Sequence, residues 1–266
     1  MEKLKELREK TGAGIGDCKK ALDESGGDID KAVEILRKKG ITKAAKRSDR
    51  ETSEGIVKFK INGEGNEAYM LKLGSETDFV ARNEKFQNLA DSVLEVIAEN
   101  SPASLDELFE LKADDLSVKD TVDTMSGVIG EKIEIVDFKV LKSEGTVAGY
   151  SHMEGKICVL VALDKKGEND LARDIAMHIA ASNPKYMSPD EVPAEEVEKE
   201  KEVYREQLLK EGKPEAMLDK IILGKINKYY EEVCLLKQEF IKDDKKKVEE
   251  ILGDIKIEAF SRLSLV

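Results

Sequence analysis

The chain has 266 residues, 40% of them apolar, with a formal net charge of −12. That length and apolar share suffice for two or more folded units with real cores, while the acidic excess argues against direct nucleic-acid binding, because such affinity comes from cations displacing counterions. No run approaches the roughly 20 consecutive apolar residues that span a bilayer, and the charged start MEKLKELREK carries no apolar signal core, so no membrane contact and a cytoplasmic location are expected.

In chain order, Leu4, Leu7, then Ala21, Leu22, then Ala32, Val33, Leu36 recur at helical spacing, punctuated by Gly12, Gly14, Gly16 and by Gly26, Gly27. This predicts three short helices in about forty residues. The stretch ITKAAKRSDRETSE that follows is polar and locally basic, an extra helix fading into a linker, with a domain boundary near Thr52. Its basic run, Lys38, Lys39, Lys43, Lys46, Arg47 and Arg50, reads as a solvated linker before it reads as an RNA contact.

From Gly55 the apolar period becomes two, in GIVKFKI and AYMLKLG around the turn-rich NGEGNE, which predicts a β-hairpin. A helix starting near Thr77 and carrying Phe86, Leu89, Val93 and Ile97 follows, then further helices and the strand KIEIVDFKV. The second half repeats the order. EGTVAGYSHMEGKICVLVAL is a second hairpin, DLARDIAMHIAASN its helix, and LGDIKIEAFSRLSL matches IGEKIEIVDFKVL as a closing strand, each preceded by a helical stretch, KKKVEEI and VKDTVDTMSGV respectively. An internal duplication is the simplest account.

The segment from Ser188 to about Tyr230 has no counterpart in the first copy. It is charged and helical, broken once at Gly212, Lys213 and Pro214, and predicts an inserted helical hairpin whose seam uses Val197, Val203, Leu208, Leu209, Leu218 and Ile222. The fold class is therefore α+β: residues 1–52 form a three-helix domain and linker, 53–141 the first core copy, 142–187 with 231–266 the second, and 188–230 the insertion.

Chemistry-bearing patterns are sparse. No phosphate-binding G-x-x-x-x-G-K-[ST] loop is present, and the cluster at Gly12, Gly14 and Gly16 lacks the strand and spacing of a dinucleotide fingerprint. Cys18, Cys158 and Cys234 lie far apart and at no metal-ligand spacing, which predicts neither disulfide nor zinc. Of the two histidines, His178 sits inside an apolar helix as a packed residue, and no nucleophile has a partner. The expectation is no catalytic residue, no metal and no cofactor.

Two strings are more specific: TGAGIGDCKKAL near the N-terminus and ETDFVARNEKF at the start of the first core helix. Together with the duplicated core, the insertion and IAMHIAAS followed by Pro184, they resemble the bacterial elongation factor Ts family, over nearly the whole chain. The resemblance implies that the three-helix start is similar to a ubiquitin-associated domain. It also implies a guanine-nucleotide exchange factor with no chemical step of its own, acting on the GTPase elongation factor Tu, with Thr77, Asp78, Phe79 and Val80 entering the partner near its magnesium site. Phe79 is then a wedge and Asp78 helps to shift a partner helix.

The residues alone leave alternatives open. Ser75 with Asp78 fits a helix capping box, with Phe79 packed inward in the first turn. TGAGIGDCKKAL fits a tight interhelical turn of positive-φ glycines with Ile15 in a small core, whereas the resemblance makes Ile15, Gly16 and Lys19 partner contacts, Gly16 being smaller than its counterpart in some relatives. His152, at the tip of the second hairpin, and Ile241 and Lys242, in the strand-to-helix turn of the second copy, are contacts by the same resemblance. Many relatives continue into a further helix where this sequence ends at Val266, which predicts a lower affinity. The hairpin at 188–230 leaves open the pairing of two copies. The rival to exchange is a protein- or RNA-binding module associated with the ribosome.

Overall fold

The computed structural model describes residues 2–265. Three helices open the chain: α1 (Glu2–Thr11), α2 (Ile15–Glu24) and α3 (Ile29–Ala45). They close on Leu7, Ala13, Cys18, Ala21, Ala32 and Leu36. Asp28 caps α3 by accepting from the Lys31 N–H at 3.1 Å. The helical part of the basic stretch is no separate helix but the end of α3, which runs on to Ala45, and Lys46, Arg47 and Arg50 follow in turns before β1.

The first core copy is built from β1 (Glu54–Ile61), β2 (Glu67–Ser75), α4 (Asp78–Ala81), α5 (Glu84–Asn100), α6 (Leu105–Glu110), a ribbon of β3 (Lys112–Ala113) and β4 (Leu116–Ser117), α7 (Val118–Ile129) and β5 (Ile133–Lys142). β1 and β2 pair antiparallel from Glu54 opposite Ser75 to Ile61 opposite Ala68, and the sheet order is β1-β2-β5. Alternation along β1 and β2 delivers Ile56, Tyr69, Leu71 and Leu73 to one core with Phe86, Leu89, Val93 and Ile97 of α5.

The second copy contains β6 (Thr146–His152), β7 (Ile157–Leu163) and α8 (Asn169–Ser182). The insertion α9 (Ala194–Lys210) and α10 (Glu215–Val233) follows, then a ribbon of β8 (Glu239–Phe240) and β9 (Asp243–Lys247), α11 (Val248–Leu252) and β10 (Ile257–Ser264). Its sheet order is β10-β7-β6, so in both copies the second strand of the hairpin is central and the closing strand joins it. β7, the apolar run ICVLVAL, is buried along its whole length, as a central strand covered on both faces requires. The repeat also includes the ribbons, which the sequence did not reveal. Lys245–Lys247, read as the start of a helix, belong to β9, and only Val248–Leu252 are helical.

The chain divides into two units. One comprises residues up to Val140, Ser151–Cys158 and those from Leu263 on; the other comprises Leu141–Tyr150 and Val159–Arg262. Within the first, α3 lies on α7 at a glycine crossing. A Cβ on Gly127 would stand 2.4 Å from Gly40 Cα, so only glycine at 127 allows this approach, whereas one on Gly40 would meet Thr124 Cα at 3.4 Å, an ordinary contact. The crossing is flanked by the Arg37–Asp120 ion pair at 2.6 Å and by Arg47 donating to the Ser126 carbonyl at 3.2 Å.

Within the second unit, the predicted helical hairpin forms and turns at Gly212–Pro214. Its seam differs from expectation. Leu208, Leu218, Ile222 and Ile226 are buried with Val197, Tyr204 and Tyr230 against them, while Val203 and Leu209 face outward. The charged neighbours of those two residues leave each as an isolated apolar side chain on a solvated face, which needs no partner.

Candidate functional site

The TDFV string forms its own short helix. The expected single helix from Thr77 is broken at Arg82 and Asn83, where Asn83 recaps the chain by accepting from the Lys85 N–H at 2.9 Å. The cap of α4 is Thr77 rather than Ser75: the Thr77 Oγ1 accepts from the Val80 N–H at 3.4 Å, and the buried Ser75 hydroxyl donates to the Thr77 carbonyl at 3.0 Å. Four residues are too few for a stable helix in isolation, so α4 depends on what holds it.

Val80 and Ala81 supply that hold on one side, buried in the first core. On the other side two carboxylates clamp the turn. Glu131 accepts from both the Thr77 N–H, at 3.0 Å, and the Thr77 hydroxyl, at 2.8 Å. Glu76 accepts from the Lys132 N–H at 2.6 Å and from Arg50 at 3.0 and 3.1 Å. The Lys132 amide, and then the Arg50 guanidinium, hold the Glu76 carboxyl below the usual carboxylate range.

What remains outside is Phe79, 83% exposed. Asp78 is half-buried and pairs along the helix with Arg82 at 3.4 Å. The inward-packing alternative for Phe79 therefore fails, and of the four residues singled out, Thr77 and Val80 anchor the element while Asp78 and Phe79 are presented. A ring of this size held out on a braced helix lacks any packing role in the free protein.

The N-terminal string lies in the same unit. Gly12, at φ +64°, forms the turn, and its carbonyl accepts from Lys85 Nζ of the ETDFVARNEKF string at 3.1 Å, so the two specific sequence motifs meet. Ala13, not Ile15, fills the small core; Ile15 is 56% exposed at the start of α2, with Gly16 and Lys19 exposed beside it. A Cβ on Gly16 would meet nothing, so the position is open surface.

Four of the six cations in the basic run are paired. Lys39 and Lys43 both pair with Asp17 at 3.1 Å, Lys38 with Glu34 at 2.7 Å, and Arg50 with Glu76. The two lysines hold the Asp17 carboxyl below its ordinary value, Lys43 first. The two Asp17 pairs tie α3 to α2, and three carboxylates against six cations halve the charge offered to a phosphate backbone.

His152 ends β6 and is exposed, followed by Met153, 59% exposed at φ +51°. Sequence reasoning misses Met153 because a single apolar residue in a polar turn carries no periodic signal. In the second unit Ile241, 43% exposed, and Lys242 form the turn between β8 and β9, a strand-to-strand turn rather than the expected strand-to-helix one. His178 fixes this turn. Its buried ring accepts from the Ile241 N–H through Nδ1 at 3.3 Å, which leaves Nε2 to donate to the Gln238 side-chain oxygen at 2.9 Å. Burial holds its pKa below the ordinary value.

The fold and these outward residues define an α+β protein of duplicated core whose surface features are braced apolar tips. Among the described residues no cluster of three His, Cys, Asp or Glu side chains could hold a metal ion, and no helix is long and apolar enough to cross a membrane. The family model for elongation factor Ts matches residues 76–265. Elongation factor Ts of Nitratiruptor sp. is 46% identical, the alignment covering 98% of this chain and 91% of that protein; that of Prosthecochloris aestuarii is 46% identical, covering 94% and 90%. That of Halothermothrix orenii is 43% identical, covering 100% and 91%. The chain belongs to the elongation factor Ts family and is a translation elongation factor.

Proposed function

We propose that this chain binds elongation factor Tu in its GDP form and drives the nucleotide out, in the cytoplasm, by binding energy alone. The observation that carries the reading is Phe79, exposed on a helix that two carboxylates and two core residues hold in place. A side chain that contributes nothing to its own fold yet is rigidly presented suits insertion into a partner.

The mechanism is a linkage. Docking the ring, with Asp78 beside it, favours a conformation of the GTPase whose magnesium and nucleotide sites are disturbed; GDP then leaves and GTP can rebind. Ile15 and Lys19 on α2, His152 with Met153, and Ile241 with Lys242 supply further contacts. Reciprocity requires GDP to weaken the factor's binding by the ratio in which the factor weakens GDP's.

The test is stopped-flow release of a fluorescent GDP analogue from purified elongation factor Tu at fixed magnesium. Acceleration that saturates with added chain is expected. Complex formation without loss of GDP would replace exchange with a binding-module reading.

A further inference from the structure

We propose that Glu131 is a positioning residue for nucleotide release, acting by holding the start of α4 so that Phe79 is presented in one orientation. The proposal rests on the exchange reading above and names a residue that lies outside both specific sequence strings.

Glu131 and Thr77 are 54 residues apart in sequence and meet where two neighbouring strands begin and end. β2 finishes at Ser75 and β5 starts at Ile133. Just beyond the sheet, the pairs 76–77 and 131–132 exchange side chain for backbone: the Glu131 carboxylate takes the Thr77 N–H, and the Glu76 carboxylate takes the Lys132 N–H. This reciprocal clamp continues the strand pairing by other means, and α4 begins at the next residue.

Three further features make the clamp directional. The Glu131 backbone is itself fixed, since the buried Ser126 hydroxyl of α7 donates to its carbonyl at 2.6 Å. Gly130, at φ +95°, ends α7 and turns the chain so that Glu131 faces Thr77. Thr77 then acts as a relay, its hydroxyl donating to Glu131 and leaving its lone pairs to accept from Val80. The orientation of the first turn of α4, and with it the exit direction of Phe79 two residues on, is set through Glu131.

The carboxylate accepts from both groups it meets. Glu131→Ala removes both acceptors, whereas Glu131→Gln can keep both bonds, its oxygen accepting the Thr77 N–H and its NH2 donating to the Thr77 hydroxyl oxygen. Thr77→Asp alone sets two carboxylates together, and Glu131→Gln beside it restores complementarity with reversed polarity: the carboxylate introduced at position 77 caps Val80 and accepts from the side-chain amide introduced at position 131, whose oxygen accepts the backbone N–H of position 77.

The experiment measures GDP-analogue release over a range of factor concentrations, with amide hydrogen exchange of the free factor read by NMR at Thr77 and Val80. Glu131→Ala is expected to speed exchange at both amides and to lower the saturating release rate about tenfold. Phe79→Ala should then cost only about 3- to 15-fold more, a tenth of its full factor, because much of the ring's aim is already lost. The proposal is overturned if release keeps the parent rate while the amides are freed, or if Phe79→Ala still costs its full factor on top of Glu131→Ala. Should Glu131→Ala not fold, Thr77→Asp with Glu131→Gln carries the test: the parent rate upholds the clamp, and a folded pair as slow as Phe79→Ala overturns it. A parent chain that releases no GDP sinks the exchange reading itself and is visible before any variant is made.

Discussion

Truncating Phe79 separates presentation from packing. Because the ring is 83% exposed, Phe79→Ala should change the stability of the free protein by no more than about 0.5 kcal/mol. On docking, a fully buried phenylalanine contributes about 2 to 3 kcal/mol. If that contribution is made only where the nucleotide is leaving, the release rate at saturating factor falls about 30- to 150-fold, at tenfold per 1.4 kcal/mol, while the half-saturating concentration stays put. If the ring binds equally in all complexes, the half-saturating concentration rises instead and the saturating rate survives. The assay is stopped-flow GDP-analogue release over a concentration series, with urea unfolding of the free protein as control. An unchanged rate at every concentration refutes the wedge; a large loss of stability would mean that the ring packs within the fold after all.

Inverting a two-state equilibrium from 1:99 to 99:1 needs about 5.5 kcal/mol of differential affinity, more than one ring supplies. Ile15→Ala and Ile241→Ala should therefore each slow release by a smaller factor, several-fold to about tenfold, with free-protein stability little changed; neutrality of both would leave the exchange energy unexplained. Gly127→Ala drives a methyl to within 2.4 Å of the Gly40 Cα, and urea unfolding should show a loss of about 1 to 3 kcal/mol, with a backbone shift of α3 visible in NMR spectra. His178 is held neutral by burial. Its folded pKa lies below about 6.5, so the unfolded chain binds more protons in the window beneath that value and stability falls as pH drops through it, levelling below the folded pKa. His178→Gln should flatten that part of the stability profile, and an unaltered slope would show that other groups produce it. Leu208→Ala, at a seam position only 1% exposed, should loosen the α9–α10 hairpin and speed trypsin cleavage after Arg205 and Lys210; equal cleavage rates would place the seam elsewhere.

Much of the architecture was legible because long, periodic segments announce themselves. Glycine clusters bounded the three opening helices, a period-two pattern marked the first hairpin, and the repeated order of elements exposed the second hairpin and the duplication. Short elements were not legible. The ribbons β3–β4 and β8–β9 include strands of two residues, below any periodic signal, and the break at Arg82–Asn83 was masked because Phe86, Leu89, Val93 and Ile97 keep a helical phase that says nothing about where the helix starts. In the insertion, hydrophobicity alone points to Val203 and Leu209 as seam residues; Tyr204, Ile226 and Tyr230 fill it instead. Candidate contacts could be named from the two strings, but the carboxylate that braces them could not, because Glu131 meets Thr77 only through the sheet.

The doubled core has an evolutionary consequence. Two copies of one strand order answer to the same folding constraints, yet their connections have diverged: the first enters its long helix through α4, the second through the loop 164–168, and the ribbon turns read Asp114–Asp115 in one and Ile241–Lys242 in the other. A lineage that inherits such a chain holds spare connections. Residues 114–115 and 165–166 are exposed positions where new contacts can be recruited by single substitutions, with no strand reordered and no helix repacked.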